Sequence, residues 1–499
     1  GLCGKNVPIL SAIPKGNPQN RERKGYKEEK LWRETSSKES RNKRRLHKRN
    51  AQQRKSRQGK VKRVDDMDKV KLALIGAGER GQFNYAPYWK LHSHEMSFVA
   101  VAEPDRERRE RFVREYRIPE EGVFERAEDF FAQPRDCDGV MICTQDTQHF
   151  EYACSAIRQG YKILLEKPIS PDLGECLALQ RLAEEYQTEI MVCHVMRYTK
   201  FYRTIKKLLE EKAIGEAVSI VHTENVGYWH YAHSYVRGNW HKEKDASPMI
   251  LAKCCHDMDI LCWLLGSRCR SISSYGDLRF FTEANAPSGS PERCTDGCPA
   301  SGKCPYYAPA LYLSDDGKWP TAITSLGAGT NPEKRRKALE EGPYGKCVFH
   351  NDNDVVDHQV ASMLLENGVT VAFTMCAFSN DCDRTITIMG TEGEIRASMD
   401  HNTIKVTRFG PGIKTGNTQV ITVVPGSAGH SGGDEGIMEE FVAILKGERV
   451  NTNTISWSVH SHVMAFAAEE SRRTGRTVLL KEFAERHSPT GAPDKREGL

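Results

Sequence analysis

Long apolar runs are missing from this sequence, and their absence excludes one class of protein. No run approaches the roughly 18 residues that a membrane-spanning helix needs, so we expect no integral membrane protein. An apolar leader followed by a small-residue cleavage pattern is also lacking, so we expect no secretory signal. The 16 cysteines among 499 residues are too sparse for a disulfide scaffold, and several lie in apolar stretches. Together these features predict a cytoplasmic protein with reduced thiols.

Acidic residues are scarce only at the start of the chain. Residues 1–66 hold 21 Lys and Arg against 7 Asp and Glu, a net charge of +14, and since the whole chain carries +5 the rest carries −9. The stretch 41–63 shows no apolar periodicity, so residues 1–66 are predicted to be a disordered basic tail or an upstream extension. Dense Lys and Arg can bind nucleic acid, but the aromatic residues of a single-strand binder are missing. We therefore expect no nucleic-acid partner.

A glycine-rich motif follows the first apolar run after this tail. Residues 70–76, VKLALIG, are typical of a strand buried in a parallel sheet, and they lead directly into GAGERG at 76–81. In such a motif Gly76 makes the tight turn, Gly78 lets the backbone approach a pyrophosphate, and Gly81 lets helix and strand pack closely. The N-terminus of the following helix faces the negative charge. The motif therefore predicts a dinucleotide site.

Two charged residues bear on which dinucleotide binds. Glu103 ends the second predicted strand, where a carboxylate accepts hydrogen bonds from the adenosine ribose and favours NAD over NADP. Arg80, inside the glycine motif, leaves NADP as an alternative cofactor, because a guanidinium there can bind its 2′-phosphate. We expect NAD, with NADP as the alternative.

Strand and helix patterns alternate through residues 67–195. This alternation predicts an α/β fold with a doubly wound parallel sheet, whose ligands gather at the carboxyl ends of the strands. Four polar residues fall at or just after such ends: Thr144, His149, Glu166 and Lys167. We expect the first three, with Arg80 and Glu103, to line the cofactor site.

The motifs at 76–81, at 143–168 (ending in Glu-Lys-Pro) and at 254–266 (CCHDMDILCWLLG) resemble those of the Gfo/Idh/MocA family of NAD(P)-dependent oxidoreductases. The resemblance implies a Rossmann domain at 67–195 and a C-terminal α+β domain at 196–482, followed by a tail at 483–499. The second domain would hold an open, mostly antiparallel sheet that mediates a homodimer or homotetramer. Sugars, sugar derivatives and polyols are the substrates that the family implies.

The resemblance also implies roles for two catalytic residues. Lys167 would lie beside the nicotinamide and the substrate hydroxyl, where a cation stabilises the developing alkoxide. His256 would bind that hydroxyl or transfer its proton, with Asp259 three residues later orienting or supporting it. A departure is visible here, because many members have an acid four residues before this histidine and this chain has Ala252. Lys253 is expected to enter the substrate pocket instead, which suits an anionic or heavily hydroxylated substrate.

Three further residues are predicted to bind substrate. Arg197 and Tyr198 resemble the linker where the family's chain crosses into its second domain. His430 begins a glycine-rich turn before Asp434, similar to one in NAD-dependent glycosidases of the same superfamily. The alternative for that turn is a glycine helix entry capped by Asp434.

A Gly-, Pro- and Ser-rich insertion at 285–346 contains Cys294, Cys298 and Cys304. With Cys347 or His350 these thiols could complete a tetrahedral structural zinc site. The alternative is a set of unrelated thiols in a loop.

These features predict an enzyme that transfers a hydride between NAD(P) and a hydroxyl-bearing carbon of a sugar, sugar derivative or cyclic polyol. One alternative is a redox-neutral, NAD-dependent glycosidase that oxidises the sugar transiently. The other is a non-catalytic NAD-binding regulatory protein, against which the retained Lys167 and His256 argue.

Overall fold

The computed structural model describes residues 69–313, 331–426 and 429–488. Every described helix and strand lies in one compact unit, which begins at Val70. The basic tail predicted at 1–66 lies outside the described residues. Among those residues that the structure describes, no helix has both the length and the apolar character needed to cross a membrane.

The first half of the compact unit is built on a parallel sheet of six strands. The central strand β1 lies between β2 and β4, and the order across the sheet is β3-β2-β1-β4-β5-β6. Chain order reverses between β1 and β4, so a crevice opens at their carboxyl ends. The predicted doubly wound fold is confirmed. The strands are β1 (Val70–Ile75), β2 (Met96–Ala102), β3 (Val123–Phe124), β4 (Gly139–Ile142), β5 (Lys162–Leu165) and β6 (Ile190–Val192).

Two α-helices of this half begin at a side-chain cap. Asp105 accepts a hydrogen bond from the Arg108 N–H, and Asp172 accepts one from the Glu175 N–H. The segment after the glycine motif differs from the regular α-helix expected, because Glu79–Tyr85 is wound as a π-helix before a short α-helix follows. The α-helices are Tyr88–His92, Arg106–Tyr116, Ala127–Phe131, His149–Arg158 and Leu173–Glu185.

The second half contains a sheet of nine strands among the described residues, in the order β14-β13-β12-β11-β7-β10-β9-β8-β15. Only the β7–β10 pair is parallel, so the predicted open, mostly antiparallel sheet is confirmed. The strands are β7 (Ala217–Asn225), β8 (Cys269–Asp277), β9 (His358–Leu365), β10 (Thr370–Cys376), β11 (Asp383–Gly390), β12 (Gly393–Ser398), β13 (Thr403–Arg408), β14 (Asn417–Thr422) and β15 (Val478–Leu479).

Helices cover one face of this sheet. The described α-helices of the second half, not all of which contact this sheet, are Lys200–Glu210, Tyr228–Tyr231, Met249–Ala252, Cys255–Leu265, Ala308–Tyr312, Pro332–Glu341, Gly433–Leu445, Ile455–Thr474 and Leu480–His487. Phe483 in the last helix is buried, so ordered structure continues beyond the predicted domain end at 482. The rest of the predicted tail, 489–499, lies outside the described residues.

One apolar cluster ties the two halves together next to the crevice. Ile437, Met438 and Phe441 of the helix Gly433–Leu445 are buried against Tyr85 and Leu74 of the glycine-motif region. The turn that precedes this helix is thereby held beside the dinucleotide motif. Residues more than 300 positions apart in the sequence therefore share one site.

Candidate active site

The glycine motif has the shape that a dinucleotide requires. Gly76 has φ +89°, and a Cβ there would lie 2.7 Å from the carbonyl oxygen of Cys143. A Cβ on Gly81 would lie 2.5 Å from the carbonyl oxygen of Gly76, whereas one on Gly78 would meet nothing within 4 Å. Across the crevice, the buried Thr144 hydroxyl oxygen has no hydrogen-bond partner among the described residues. Open space beside Gly78 and an unsatisfied hydroxyl at the end of β4 both fit a bound dinucleotide.

Glu103 holds the loop from the end of β2. Its Oε2 accepts a hydrogen bond from the Ala77 N–H at 2.7 Å, and its Oε1 accepts one from the Asp105 N–H at 2.9 Å. The side chain is 4% exposed, so a carboxylate is fixed where the sequence predicted it.

Arg80 does not face Glu103. Its Nε donates to Glu166 Oε1 at 2.6 Å, its Nη2 donates to Asp434 Oδ1 at 2.7 Å, and it also hydrogen-bonds Tyr85. Burial alone would raise the pKa of Glu166, but Arg80 and Lys167 outweigh that effect and lower it. The guanidinium therefore joins two carboxylates from the two halves, and the predicted role in 2′-phosphate binding does not fit this placement.

His149 supports the site from behind. One ring nitrogen, Nδ1, lies 2.6 Å from the Pro168 carbonyl oxygen, and Nε2 lies 3.2 Å from that of Thr144. Both nitrogens are thus directed at backbone, and the ring connects the turns after β4 and β5. Sequence analysis predicted that His149 contacts the cofactor. In the structure, His149 instead positions Thr144 and the Lys167-Pro168 segment.

Lys167 lies directly after β5 at the crevice. Its Nζ donates to the Ala252 carbonyl oxygen at 2.8 Å, and no carboxylate of the described residues lies within 4.0 Å of that nitrogen. An ammonium without an ion-pair partner keeps its charge available for a ligand.

His256 lies in the first turn of the helix Cys255–Leu265. The side chain is buried, and its Nδ1 has no hydrogen-bond partner among the described residues. Burial, followed by the charge of Lys167, lowers the pKa of His256 well below its usual range. The imidazole is therefore neutral at neutral pH and can accept a proton.

Arg197 and Asp259 pair with each other rather than with a substrate. The Arg197 Nε and Nη2 donate to the two Asp259 carboxylate oxygens at 2.6 and 2.5 Å. Both side chains are buried, at 5% and 1% exposed. This bidentate pair uses the donors that sequence analysis assigned to substrate, and it also removes Asp259 from the predicted support of His256.

Tyr198 is likewise part of the packing. It is 9% exposed, it belongs to the apolar cluster next to the crevice, and the Arg203 guanidinium lies 5.4 Å from its ring centre. A Cβ on Gly436 would come within 2.9 Å of the Tyr198 Cβ. The residue holds the helix Gly433–Leu445 in place, which differs from its predicted substrate contact.

Lys253 belongs to a buried charge cluster, formed by Glu224, Lys253, Asp257, Arg384 and His222. Its Nζ lies 3.4 Å from Glu224 Oε1. Arg384 bonds both carboxylates, with Nη2 2.6 Å from Glu224 and Nε 2.9 Å from Asp257. His222 Nε2 lies 2.8 Å from Asp257. The Lys253 charge is therefore compensated from within the protein.

His430 forms a carboxylate–histidine pair. Its Nδ1 lies 3.0 and 3.1 Å from the two oxygens of Asp434, and its ring centre lies 6.2 Å from that of His256. His430 and Ser431 have φ of +49° and +56°, a backbone conformation that residues other than glycine rarely adopt. Two consecutive residues of this kind at the crevice are typical of functional sites.

Asp146 is a site residue to which sequence analysis did not point. It follows β4 by a few residues, and its Oδ2 accepts a hydrogen bond from the Trp240 indole at 3.2 Å. Burial raises the pKa of Asp146, which His149 and Lys167 only partly offset. The signal available was its place two residues after Thr144, at a strand end.

The described residues of the insertion, 285–313 and 331–346, do not bring a set of metal-ligating side chains together. Among residues 69–313, 331–426 and 429–488, no three His, Cys, Asp or Glu side chains are arranged to hold a metal ion. Cys294 is buried, and the Arg237 guanidinium Nη2 lies 3.6 Å from its sulfur. A positive charge this close to the sulfur disfavours a zinc ion at the same place. The predicted zinc site of Cys294, Cys298, Cys304 and Cys347 gains no support from this arrangement.

The chain is similar to several known proteins. It is 22% identical to a putative oxidoreductase, YteT, from Bacillus subtilis over 61% of this chain and 71% of that protein. It is 26% identical to an inositol 2-dehydrogenase from Saccharopolyspora erythraea over 44% of this chain and 60% of that one. A crystal structure of an oxidoreductase from Agrobacterium radiobacter, in complex with NAD+, L-tartaric acid and magnesium, superimposes with a TM-score of 0.57 at 17% identity. The superposition covers 83% of this chain and 99% of the Agrobacterium chain. At this sequence identity, the similarity is evidence for a shared fold alone.

Family profiles match both halves of the compact unit. Residues 70–194 match the NAD-binding Rossmann fold of an oxidoreductase family, and residues 206–480 match the C-terminal alpha/beta domain of the same family. The boundary between the two matches falls where the parallel sheet ends and the mixed sheet begins. The chain therefore belongs to the Gfo/Idh/MocA family of NAD-binding oxidoreductases, as its motifs indicated.

Proposed function

We propose that this enzyme transfers a hydride between NAD and a hydroxyl-bearing carbon of a polyol or sugar. Gly76, Gly78, Gly81, Glu103 and Thr144 would hold the dinucleotide, and their geometry fits it. When bound, NAD supplies the hydride acceptor for the substrate carbon.

One observation carries the proposal: an ammonium without an ion-pair partner lies beside a neutral, buried imidazole at the crevice. Hydride loss from a carbinol carbon requires the hydroxyl proton to leave. His256 is neutral and accepts that proton, while the Lys167 ammonium stabilises the negative charge that develops on the oxygen. Lys167 and His256 would thus replace the acid–histidine pair of many family members, whose acid stands at the position of Ala252 in this chain.

The charges around the crevice favour a neutral, hydroxylated substrate. Arg80 is matched by Glu166 and Asp434, and Lys253 is matched within the buried charge cluster. Among the described cations placed at the crevice, Lys167 alone lacks a carboxylate partner, and the proposed mechanism uses its charge on the reacting oxygen, so the pairing of Arg80 and Lys253 favours the neutral class over the anionic one. Similarity to an inositol dehydrogenase supports the same class.

The test is an absorbance assay at 340 nm with purified enzyme, NAD+ and a panel of inositols, aldoses and aryl glycosides. NADH accumulation with an inositol or a free sugar supports the proposal. Release of an aglycone without net NADH supports the redox-neutral glycosidase instead. Cofactor binding without either reaction supports the regulatory alternative.

The fixed Glu103 carboxylate leads us to propose NAD over NADP, since it would repel a 2′-phosphate. We expect Glu103→Gln to weaken NAD+ binding about tenfold, because losing a charge-assisted hydrogen bond costs about 1.5 kcal/mol. The preference of this variant for NAD+ over NADP+ should become smaller at the same time. Isothermal titration with each cofactor measures both quantities. Glu107→Gln, an exposed acid on the next helix, is the matched control. An unchanged cofactor preference in Glu103→Gln contradicts the proposal.

We also propose that the uncovered face of the second sheet joins two copies of the chain. Val221 in β7 and Val360 in β9 lie on the face away from the helices and are 45% and 43% exposed. Apolar side chains on an uncovered face mark an interface. Val221→Arg should convert a dimer to a monomer in multi-angle light scattering, because it buries an unpaired charge. Leu91→Arg, at another exposed apolar position, should leave the mass unchanged. A wild-type monomer would contradict this assembly.

A further inference from the structure

The hydride-transfer proposal leaves one acid at the crevice without a role. Five other buried carboxylates around the crevice are each held by an arginine: Glu166 and Asp434 by Arg80, Glu224 and Asp257 by Arg384, and Asp259 by Arg197. Asp146, shortly after β4, differs from these five, because no described Lys, Arg or His nitrogen lies within 4.0 Å of its carboxylate. Its acceptor capacity is therefore not used by a cation of the protein.

The local backbone and one indole fix the Asp146 carboxylate. The Gln148 N–H donates to the Gln145 carbonyl oxygen at 2.9 Å, and the Gln145 N–H donates to Gln148 Oε1 at 3.4 Å. These two bonds close the turn that holds Asp146. Its Oδ2 accepts a hydrogen bond from the Trp240 indole at 3.2 Å, whereas Oδ1 has no partner among the described residues. The side chain is half-buried, so one carboxylate oxygen is oriented by the protein and the other remains available as an acceptor.

Trp240 belongs to the second half of the compact unit. Its ring centre lies 6.3 Å from that of the buried Tyr235, and its backbone N–H donates to the Ser234 carbonyl oxygen at 3.3 Å. The donor that orients Asp146 therefore comes from the half that also contains His256. Ligand sites are common where two domains meet, and an acceptor built from both halves lies at such a boundary.

Lys167 lies near Asp146 without pairing with it. Burial raises the pKa of Asp146, and His149 and Lys167 offset part of that rise, although the Lys167 ammonium is more than 4.0 Å from the carboxylate. An acceptor and a cation separated in this way suit two neighbouring hydroxyls, because a hydroxyl both donates and accepts hydrogen bonds. One hydroxyl oxygen would contact Lys167, and the O–H beside it would donate to Asp146.

We propose that Asp146 makes the enzyme selective for vicinal diols, with its Oδ1 accepting a hydrogen bond from the hydroxyl next to the one that is oxidised. Lys167 and His256 act on the reacting hydroxyl, while Asp146 holds its neighbour and so orients the substrate ring. Trp240 is a positioning residue, because it orients the carboxylate. The inference rests on the proposed function for its substrate class. The ribose of the cofactor also contains a vicinal diol, so the test has to distinguish these two sources.

The first measurement is binding, which does not depend on turnover. The probes are myo-inositol with its monodeoxy analogues, and glucose with its 2-deoxy and 3-deoxy analogues. Each is titrated into enzyme saturated with NADH, which cannot oxidise an alcohol, and saturation-transfer NMR gives the dissociation constants. We expect at least one parent compound to bind about tenfold more tightly than one of its deoxy analogues, because the analogue cannot donate to the charged carboxylate.

Asp146→Ala is the informative variant, because it removes the acceptor. The parent compound should bind about tenfold more weakly to it, whereas the deoxy analogue should bind about as before, so the preference disappears. The dissociation constant for NAD+ should change less than about threefold. Trp240→Phe, which keeps an aromatic ring and removes the indole N–H, should reduce the preference by a smaller factor. Asp129→Ala, at an exposed acid of the helix Ala127–Phe131, is the control and should keep the full preference.

A parallel assay at 340 nm with NAD+ and the same probes separates this inference from the proposed function. A preference that disappears in Asp146→Ala, with NADH formed by the wild-type enzyme, supports both. The same loss without NADH formation overturns hydride transfer and leaves the role of Asp146 standing. No preference in the wild-type enzyme, an unchanged preference in Asp146→Ala, or equal weakening of parent and analogue overturns that role.

The cofactor measurement decides between the two diols. An NAD+ dissociation constant raised tenfold or more in Asp146→Ala, with the preference among the probes intact, assigns the carboxylate to the ribose and overturns the inference. Absence of binding by every probe to the wild-type enzyme overturns both the inference and the proposed substrate class.

Discussion

Lys167→Ala is expected to lower kcat by about a thousandfold, since removing a group that assists proton departure costs typically 10² to 10⁴. The reason is geometric and electrostatic. Lys167 ends β5 at the crevice, its Nζ is held by the Ala252 carbonyl at 2.8 Å, and no described carboxylate within 4.0 Å neutralises it. Without this ammonium, the oxygen that loses its proton has no cation beside it. The measurement is the initial rate at 340 nm with the panel substrate that the wild-type enzyme oxidises fastest.

Binding measurements distinguish this effect from unfolding or lost cofactor. The proposed dinucleotide site comprises Gly76, Gly78 and Glu103, none of which hydrogen-bonds the Lys167 ammonium. The dissociation constant for NAD+ should therefore change less than threefold in Lys167→Ala, about 0.6 kcal/mol. Lys90→Ala, which removes a lysine paired with Glu115 on the surface, is the matched control and should keep full activity. A Lys167→Ala rate equal to that of Lys90→Ala contradicts the catalytic assignment.

The parts of the fold that the sequence predicted well are those set by local chemistry. At Gly76 and Gly81 of the glycine motif, a Cβ would come too close to a backbone carbonyl oxygen, so these two positions require glycine. Side chains cap the helices that begin after Asp105 and Asp172, and Gly475, with φ +68°, ends the helix Ile455–Thr474. The doubly wound parallel sheet followed from the alternation of strand and helix patterns. Each of these signals lies within a few residues of its effect.

The partners of long charged side chains could not be predicted in the same way. Arg80 bonds Asp434, 354 positions later, and Arg197 bonds Asp259, 62 positions later. Nothing local distinguishes a guanidinium that faces a ligand from one that meets a buried carboxylate. The choice depends on how the two halves pack, which also explains why Tyr198 proved to be a packing residue.

Several elements were not predicted because their patterns are weak. The strand β3 has two residues, and β14 is exposed along nearly its whole length, so neither carries a clear apolar alternation. Asp146 was missed because an acid after a strand is common and its hydrogen-bond donor, Trp240, belongs to the other half. These are effects of tertiary contacts rather than of local propensity.

The Arg197–Asp259 pair supports the second large prediction, which concerns stability. We expect Arg197→Met to destabilise the folded protein by about 3–5 kcal/mol, because it leaves the Asp259 carboxylate buried without its counter-ion. Asp259→Leu should cost a similar amount by leaving the guanidinium unpaired. Urea denaturation followed by circular dichroism measures the loss as a lower transition midpoint. If either variant does not fold, its yield of soluble protein reports the same effect.

The double variant separates a buried ion pair from a substrate contact. With Arg197→Met and Asp259→Leu combined, two apolar side chains of similar size replace the pair, and neither charge is left unpartnered. The midpoint should therefore recover most of the loss seen in either single variant. Because Arg197 Nε and Nη2 are bonded to both Asp259 oxygens in the interior, the folded double variant should keep a KM within a few-fold of wild type. A large rise in KM for Arg197→Met at an unchanged midpoint would return Arg197 to the substrate site. Recovery of the midpoint with normal KM places the residue among those that hold the site helix Cys255–Leu265 in position, and so fixes where His256 meets the crevice.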